Sequence, residues 1–206
     1  GRIAGVDTTN APAPRDATVI GCRNGVLLPG LIDAHWHAIS AAVPLNVLLN
    51  GDPGIIFAAS TAEADRTLMR GFTTIRDLGG PSFSFKQAID AGMIPGPRIF
   101  PAGAMITTSG GHGDLRLPNE IPRDGGKLSK GELLGGSAIV DGIDDLKMRI
   151  REQLLQGASQ IKIVGSGGVS SPRSPLDMTT FSEEELRAAV DVAQDWNTYV
   201  AVHAYT

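Results

Sequence analysis

Five short apolar runs recur along this chain, each after the first preceded by a helical or loop crossover, and that alternation limits the fold more than any other feature. The runs are Gly30 to His37, Phe72 to Asp77, Arg98 to Pro101, Gln160 to Val164 and Tyr199 to His203. Helical patterns separate them. Ser60 and Glu63 stand at capping-box spacing ahead of Ala64, Leu68 and Met69, and Gly71 stops that helix. Ser82 to Ala91 reads as a short helix. Ile143, Leu146, Ile150 and Leu154 recur at three- and four-residue steps over Ile143 to Gln156, with Gly157 closing the segment. A second capping box, Ser182 with Glu185, opens a helix through Leu186, Ala189, Val190, Ala193 and Trp196. Consecutive strands joined this way form either an open doubly wound sheet or a (β/α)8 barrel. The doubly wound alternative needs a glycine-rich first turn to admit a pyrophosphate, and the turn here, Asp33-Ala-His-Trp-His37, has no glycine. The α/β barrel is therefore expected. A typical barrel takes about 250 residues and eight strands. With 206 residues, ending just past the fifth run, the chain is predicted to form an incomplete barrel of about five strands.

Composition narrows the partners. Hydrophobic residues make up 42% and charged residues 19%, as in a globular chain with a sizeable core. There are 18 Lys and Arg against 22 Asp and Glu, a net charge of −4, with no basic run, so nucleic acid is not an expected partner. The charge-poor stretch from Ala38 to Ser60 is broken by Pro44, Asn46, Asn50, Asp52 and Pro53, and no membrane span is expected. Cys22 has no second cysteine to pair with, which is compatible with a reducing cytoplasm, the expected location. The N-terminus carries no initiator Met and no apolar segment of a signal peptide. From Thr107 to Val140 runs a long glycine-rich insertion, expected to be an active-site loop, because loops of this length are usually functional.

The residues that carry chemistry fall at the ends of three strands. His35 and His37 are two apart at the end of an apolar run, and in an extended chain both imidazoles project to one side. Two neutral imidazoles at a strand mouth make half of a divalent-metal site; a loop cap and a surface histidine fit the bare His-x-His pair equally well. Lys162 lies between Ile161 and Ile163, where an unpaired ammonium is expensive to bury. A desolvated lysine has a lowered pKa, and its neutral amine can take up carbon dioxide to form a carbamate that bridges two metal ions. A lysine paired with a carboxylate is the alternative. His203 ends the apolar run Val200-Ala-Val202. Four potential ligands at three strand C-termini coincide with the face on which barrels assemble active sites.

Val26-Leu-Leu-Pro-Gly-Leu-Ile-Asp-Ala-His-Trp-His37 resembles the opening signature of the amidohydrolase superfamily. Gly71-Phe-Thr-Thr-Ile-Arg-Asp77, Thr108-Ser-Gly-Gly-His-Gly-Asp114, Ile161-Lys-Ile-Val-Gly-Ser-Gly-Gly168 and Val202-His-Ala-Tyr205 resemble its branch of imidazolonepropionase-like and prolidase-like metallohydrolases, which includes ochratoxin-cleaving amidases. The resemblance implies that His35 and His37 bind a buried metal, that carboxylated Lys162 bridges two divalent ions, usually zinc, and that His203 binds the second. The implied reaction is hydrolysis of an amide or peptide bond by a metal-bridged hydroxide. Tyr205, two residues past His203, is expected to hydrogen-bond the carbonyl oxygen as charge develops, with a packed rim tyrosine as the alternative. His112, flanked by glycines in the insertion, is expected to bind a substrate carboxylate, and a solvated loop histidine fits it as well. Gly165-Ser-Gly-Gly168 is expected to give clearance for the metal centre. Arg76 and Asp77 read as an ion pair or a mouth contact with no catalytic role.

The family pattern continues with a histidine on strand six and an aspartate on strand eight, neither of which this sequence contains. Residues 1–28 are expected to be a remnant of a small β-sandwich, and residues 29–206 the first part of the barrel. The chain is therefore expected to be an excerpt of a longer enzyme and inert by itself, with the rest of the barrel supplied by the same or another polypeptide. A non-catalytic remnant that folds only in an assembly is the competing expectation. Within the enzyme class the expected substrate is a small-molecule amide, a dipeptide or an N-acyl amino acid, with cyclic-amide hydrolysis as the runner-up, and a homo-oligomer is expected.

Overall fold

The computed structural model describes residues 2–9, 11–171 and 173–205. Seven strands form: β1 (Leu31–Trp36), β2 (Phe72–Asp77), β3 (Arg98–Pro101), β4 (Met105–Thr107), β5 (Ser137–Ile139), β6 (Ile161–Val164) and β7 (Val200–His203). They build two sheets, in the orders β1-β2-β3 and β5-β4-β6-β7. Every pairing is parallel.

The third apolar run, Arg98 to Pro101, forms β3, and the chain then breaks at Ala102-Gly103-Ala104 before β4. β3 pairs with β2, and β4 pairs with β6 through Ile106 and Ile163. Gly103 has a φ of 76°, and a β-carbon there would meet Gln153 Oε1 at 2.4 Å, so the break requires glycine. Across the gap Ser159 N donates to Pro101 O at 2.8 Å, and the Gln160 amide donates to the carbonyls of Asp77 and Phe100, both at 3.0 Å. The strands therefore follow one another as β1, β2, β3 with β4, β6 and β7, an arc of five positions that matches the five runs. β5 is an addition from the insertion, lying on β4.

Among the described residues the α-helices are α1 (Leu45–Asn50), α2 (Pro53–Met69), α3 (Phe83–Asp90), α4 (Lys130–Leu133), α5 (Ile143–Leu155) and α6 (Glu183–Asp195). Ile75 and Ile99 pack with Ile56, Ala64 and Phe85 in one core. Ile106, Ile161 and Ile163 pack with Leu146, Ile150, Ala189 and Val192 in another. Each fully buried isoleucine contributes about 1.5–3 kcal/mol, and these cores hold the strands whose other face carries the chemistry. The Ser182–Glu185 capping box opens α6 as expected.

Three expectations are corrected or sharpened. The second helix does not start at Ser60. Asp52 caps it, accepting from Gly54 N at 2.7 Å, with Pro53 at its first position. Ser60 is buried in mid-helix, and its hydroxyl donates to Ile56 O at 2.8 Å. The insertion 107–140 is not loop throughout, since α4 and β5 lie within it. Residues 2–9 and 11–30 form no strand and are exposed, because Val19, Ile20, Val26 and Leu27 have no sheet to pack against among the described residues. Among those residues no helix is long and apolar enough to cross a membrane.

Candidate metal centre

β1 does not run evenly to its end. Asp33 pairs with Ile75 and Trp36 with Asp77, three steps on one strand against two on the other. This bulge re-aims the end of the strand. Asp33 Oδ1 accepts from His35 N at 2.9 Å, and Arg76 Nε donates to Ala34 O at 2.6 Å. The His35 and His37 rings come to 5.5 Å between centroids, so the expected convergence occurs.

His37 Nδ1 lies 3.1 Å from the carbonyl of Gly79. A carbonyl only accepts, so Nδ1 carries the proton and the Nε2 lone pair is left for a metal. Gly79 must be glycine: its φ is 143°, and a β-carbon would meet Met105 Cγ at 2.2 Å. His203 repeats the arrangement in the other tautomer. Its Nε2 lies 3.0 Å from Gly167 O, so Nε2 is the nitrogen that donates and Nδ1 is left for another partner.

Lys162 is 2% exposed, and no carboxylate pairs with it among the described residues. The carboxylate-paired alternative is therefore not what forms. Burial, assisted by the charge of Arg76, lowers the ammonium to about 8, so the neutral amine is far more populated near neutral pH than in an ordinary lysine. Burial also lowers His35 and His37, and the nearby Lys162 charge lowers both further. Neutral imidazoles are the form a cation needs.

His112 joins this group from the insertion. Its ring stands 4.8 Å from that of His203, and burial, then His203 and Lys162, lower its pKa. Its Nδ1 is buried without a hydrogen-bond partner. The loop carrying it is pinned. Thr107 Oγ1 donates to His112 O at 2.9 Å, Gly110 N donates to Asp114 at 2.8 Å, and Asp114 pairs with Arg116, side chains 6% and 8% exposed. Burial raises Asp114, but the Arg116 and Gly110 hydrogen bonds outweigh it and hold the carboxyl below its ordinary value. Gly168 gives clearance to His112, since a β-carbon on it would fall 2.3 Å from His112 Nε2. The Tyr205 ring meets His203 edge-on at 5.1 Å, with the residue 58% exposed.

Arg76 and Asp77 do not pair. Neighbours on a strand face opposite ways: Arg76 reaches Ala34 O and the Tyr199 hydroxyl, whereas Asp77 accepts from Ala38 N and Ser82 Oγ. Asp77 thus holds the turn that follows His37, and burial raises its carboxyl to about 7. The sequence signal for it was an acid at the end of an apolar strand.

Among the described residues no three His, Cys, Asp or Glu side chains gather as a ready metal site. The imidazoles form two pairs, and Lys162 acts electrostatically on a member of each. The donor set still fits divalent ions: His37 and His203 are fixed through one ring nitrogen with the other free, and His112 has an orphaned nitrogen. What the set lacks is an anion, which a carbamate on Lys162 would supply.

The chain has an α/β fold of parallel sheets with titratable groups at the C-terminal ends of its strands. The chain belongs to the amidohydrolase family, whose sequence pattern matches residues 26–206. It is 32% identical over 191 residues to ochratoxinase of Aspergillus niger, covering 89% of this chain and 40% of that protein. A prolidase crystallised with N-methylphosphonate-L-proline shares 41% identity with a TM-score of 0.76, over 86% of this chain and 43% of its own. An amidohydrolase structure shares 36% identity with a TM-score of 0.84, over 96% and 48%. The chain thus spans about 40% of the length of the curated relatives it matches.

Proposed function

We propose that this chain forms the metal-binding part of a binuclear amidohydrolase that cleaves the amide or peptide bond of a dipeptide or N-acyl amino acid. The observation that carries this is Lys162, buried with no paired carboxylate among the described residues and close enough to act on His35, His37 and His112. The relatives named ochratoxinase and prolidase support the reaction class. Lys162 Nζ, as the neutral amine, attacks carbon dioxide; the new C–N bond forms, one proton leaves to water, and a carboxylate results. That anion, with His35, His37 and His203, would hold two divalent ions, zinc suiting a donor set of imidazole and carboxylate. When bound, the ions lower the pKa of a water and polarise the scissile carbonyl.

The other side chains of this centre bind and orient. His112, with its buried unpartnered Nδ1, grips the free carboxylate of the substrate. The exposed Tyr205 phenol donates to the carbonyl oxygen as it gains charge, which favours the transition state over the planar ground state. The histidine and aspartate that complete the site come from the rest of the barrel, in the same or another polypeptide.

The test is metal content and hydrolysis together, on protein carrying the complete barrel. About two divalent ions per barrel, with turnover of dipeptides or N-acyl amino acids above that of cyclic amides, is the expected result. Turnover of cyclic amides alone, or undiminished turnover after chelation, would contradict it.

A further inference from the structure

Among the cavities that the hydrolysis proposed above leaves without a role, one lies next to a residue that orients His37. About 310 Å³ lies between α1, the start of α2, the turn at Gly79–Pro81 and the insertion. Close-packed cores leave voids of little more than a water molecule, whereas ligand sites run from about 300 to 1,000 Å³. Its walls include Ile39, Leu48, Ile56, Phe57, Leu117 and Leu134. The charged groups on its lining are already committed. Lys130 Nζ donates to the carbonyls of Leu49 and Gly51 at 3.4 and 3.5 Å. The Glu120 carboxylate accepts from Leu117 N at 2.8 Å and Lys130 N at 3.4 Å. With both charges engaged, the lining favours an uncharged apolar group over an ion. The cavity also adjoins the metal centre, because Gly79, which accepts from His37, lines it together with Met105.

We infer that this cavity is the acyl subsite and takes an aromatic or large branched aliphatic acyl group. The inference rests on the amide-hydrolase reading. His112 stands beside His203 in one imidazole pair, while Gly79 accepts from His37 in the other. An amide that spans the centre with its carboxylate toward His112 sends its acyl group toward Gly79 and the cavity. A cavity of roughly 150 Å³ suffices for a benzene ring, so this one holds a ring and the arm that joins it to the carbonyl.

The test uses protein with the complete barrel, with N-(phenylacetyl)glycine and N-acetylglycine as substrates. para-Bromophenylacetate, the bromo analogue of the acid that the first would release, is the binding probe, located in the crystal by the anomalous scattering of bromine. The phenylacetyl substrate is expected to have the higher kcat/KM, by at least about tenfold, and Leu134→Trp, which fills the cavity, should lower that ratio by about the same factor and weaken the probe likewise. Bromine should lie beside Leu134 and Phe57. An unchanged ratio in Leu134→Trp, or bromine outside the cavity, overturns the inference. Should Leu134→Trp not fold, Leu134→Ala must shift the ratio instead, and a constant ratio there overturns it as well. If neither conjugate is cleaved, the hydrolase reading fails, and the bromine position alone then decides the cavity.

Discussion

The His112 ring lies where a side chain on Gly168 would stand: a β-carbon at 168 would be 2.3 Å from His112 Nε2 and 2.4 Å from two ring carbons. Gly168 has no left-handed φ, so alanine there is excluded by the imidazole and not by backbone strain. Gly168→Ala should therefore displace His112 and raise KM for carboxylate-bearing substrates by about tenfold, with little effect on their amidated analogues. Adding Gly168→Ala to His112→Asn should change less than it does in the wild type, because residues in contact are not additive. Full additivity in steady-state kinetics would contradict the contact.

His35→Ala or His37→Ala should each remove the more buried metal and abolish activity, since each deletes a neutral donor at the mouth of β1. Metal analysis of both variants checks this, and occupancy equal to wild type would contradict it. Gly79→Ala should resemble His37→Ala in part: the carbonyl that orients the ring sits on a residue with φ of 143°, which alanine adopts only under strain.

Lys162→Ala should lose activity and regain part of it with short carboxylic acids, which restore two anionic oxygens in the space left by the side chain. Lys162→Arg should not be rescued, because guanidinium stays charged and fills that space. Rates with and without added acetate make the comparison, and equal rescue of both variants would contradict a bridging carboxylate.

Asp77 makes stability fall with rising pH. Its folded carboxyl is held at about 7 against an ordinary 3.8, so the fold favours the protonated form. The stability this confers is fully present below the ordinary value and is lost as pH rises through about 7. The difference is worth at most on the order of 4 kcal/mol. In denaturant unfolding, the wild type should lose stability relative to Asp77→Asn as pH rises from about 4 to about 7; parallel profiles would contradict it.

Much of this was legible because parallel strands alternating with helices announce themselves locally. All five apolar runs became strands, and Ile143 to Leu155 became a helix, since period and breakers are short-range signals. Ser60 with Glu63 misled because a serine in mid-helix bonding back to Ile56 has the same spacing as a cap. β4 and β5 are three residues each, and the pairing of Ile106 with Ile163 leaves no local pattern. For the site, residue types at strand ends pointed to His35, His37, Lys162 and His203. The supports, Gly79 under His37, Gly168 beside His112 and Asp77 behind Ala38, join distant segments and emerge only in three dimensions.

The most direct test of the central claim is the electron density at Lys162 Nζ in a metal-loaded crystal of protein carrying the complete barrel, grown with bicarbonate. The account predicts a planar carboxylate on the nitrogen, its two oxygens each toward one metal ion, and loss of both features in Lys162→Arg. A bare amine at Lys162 beside two occupied metal positions would contradict it.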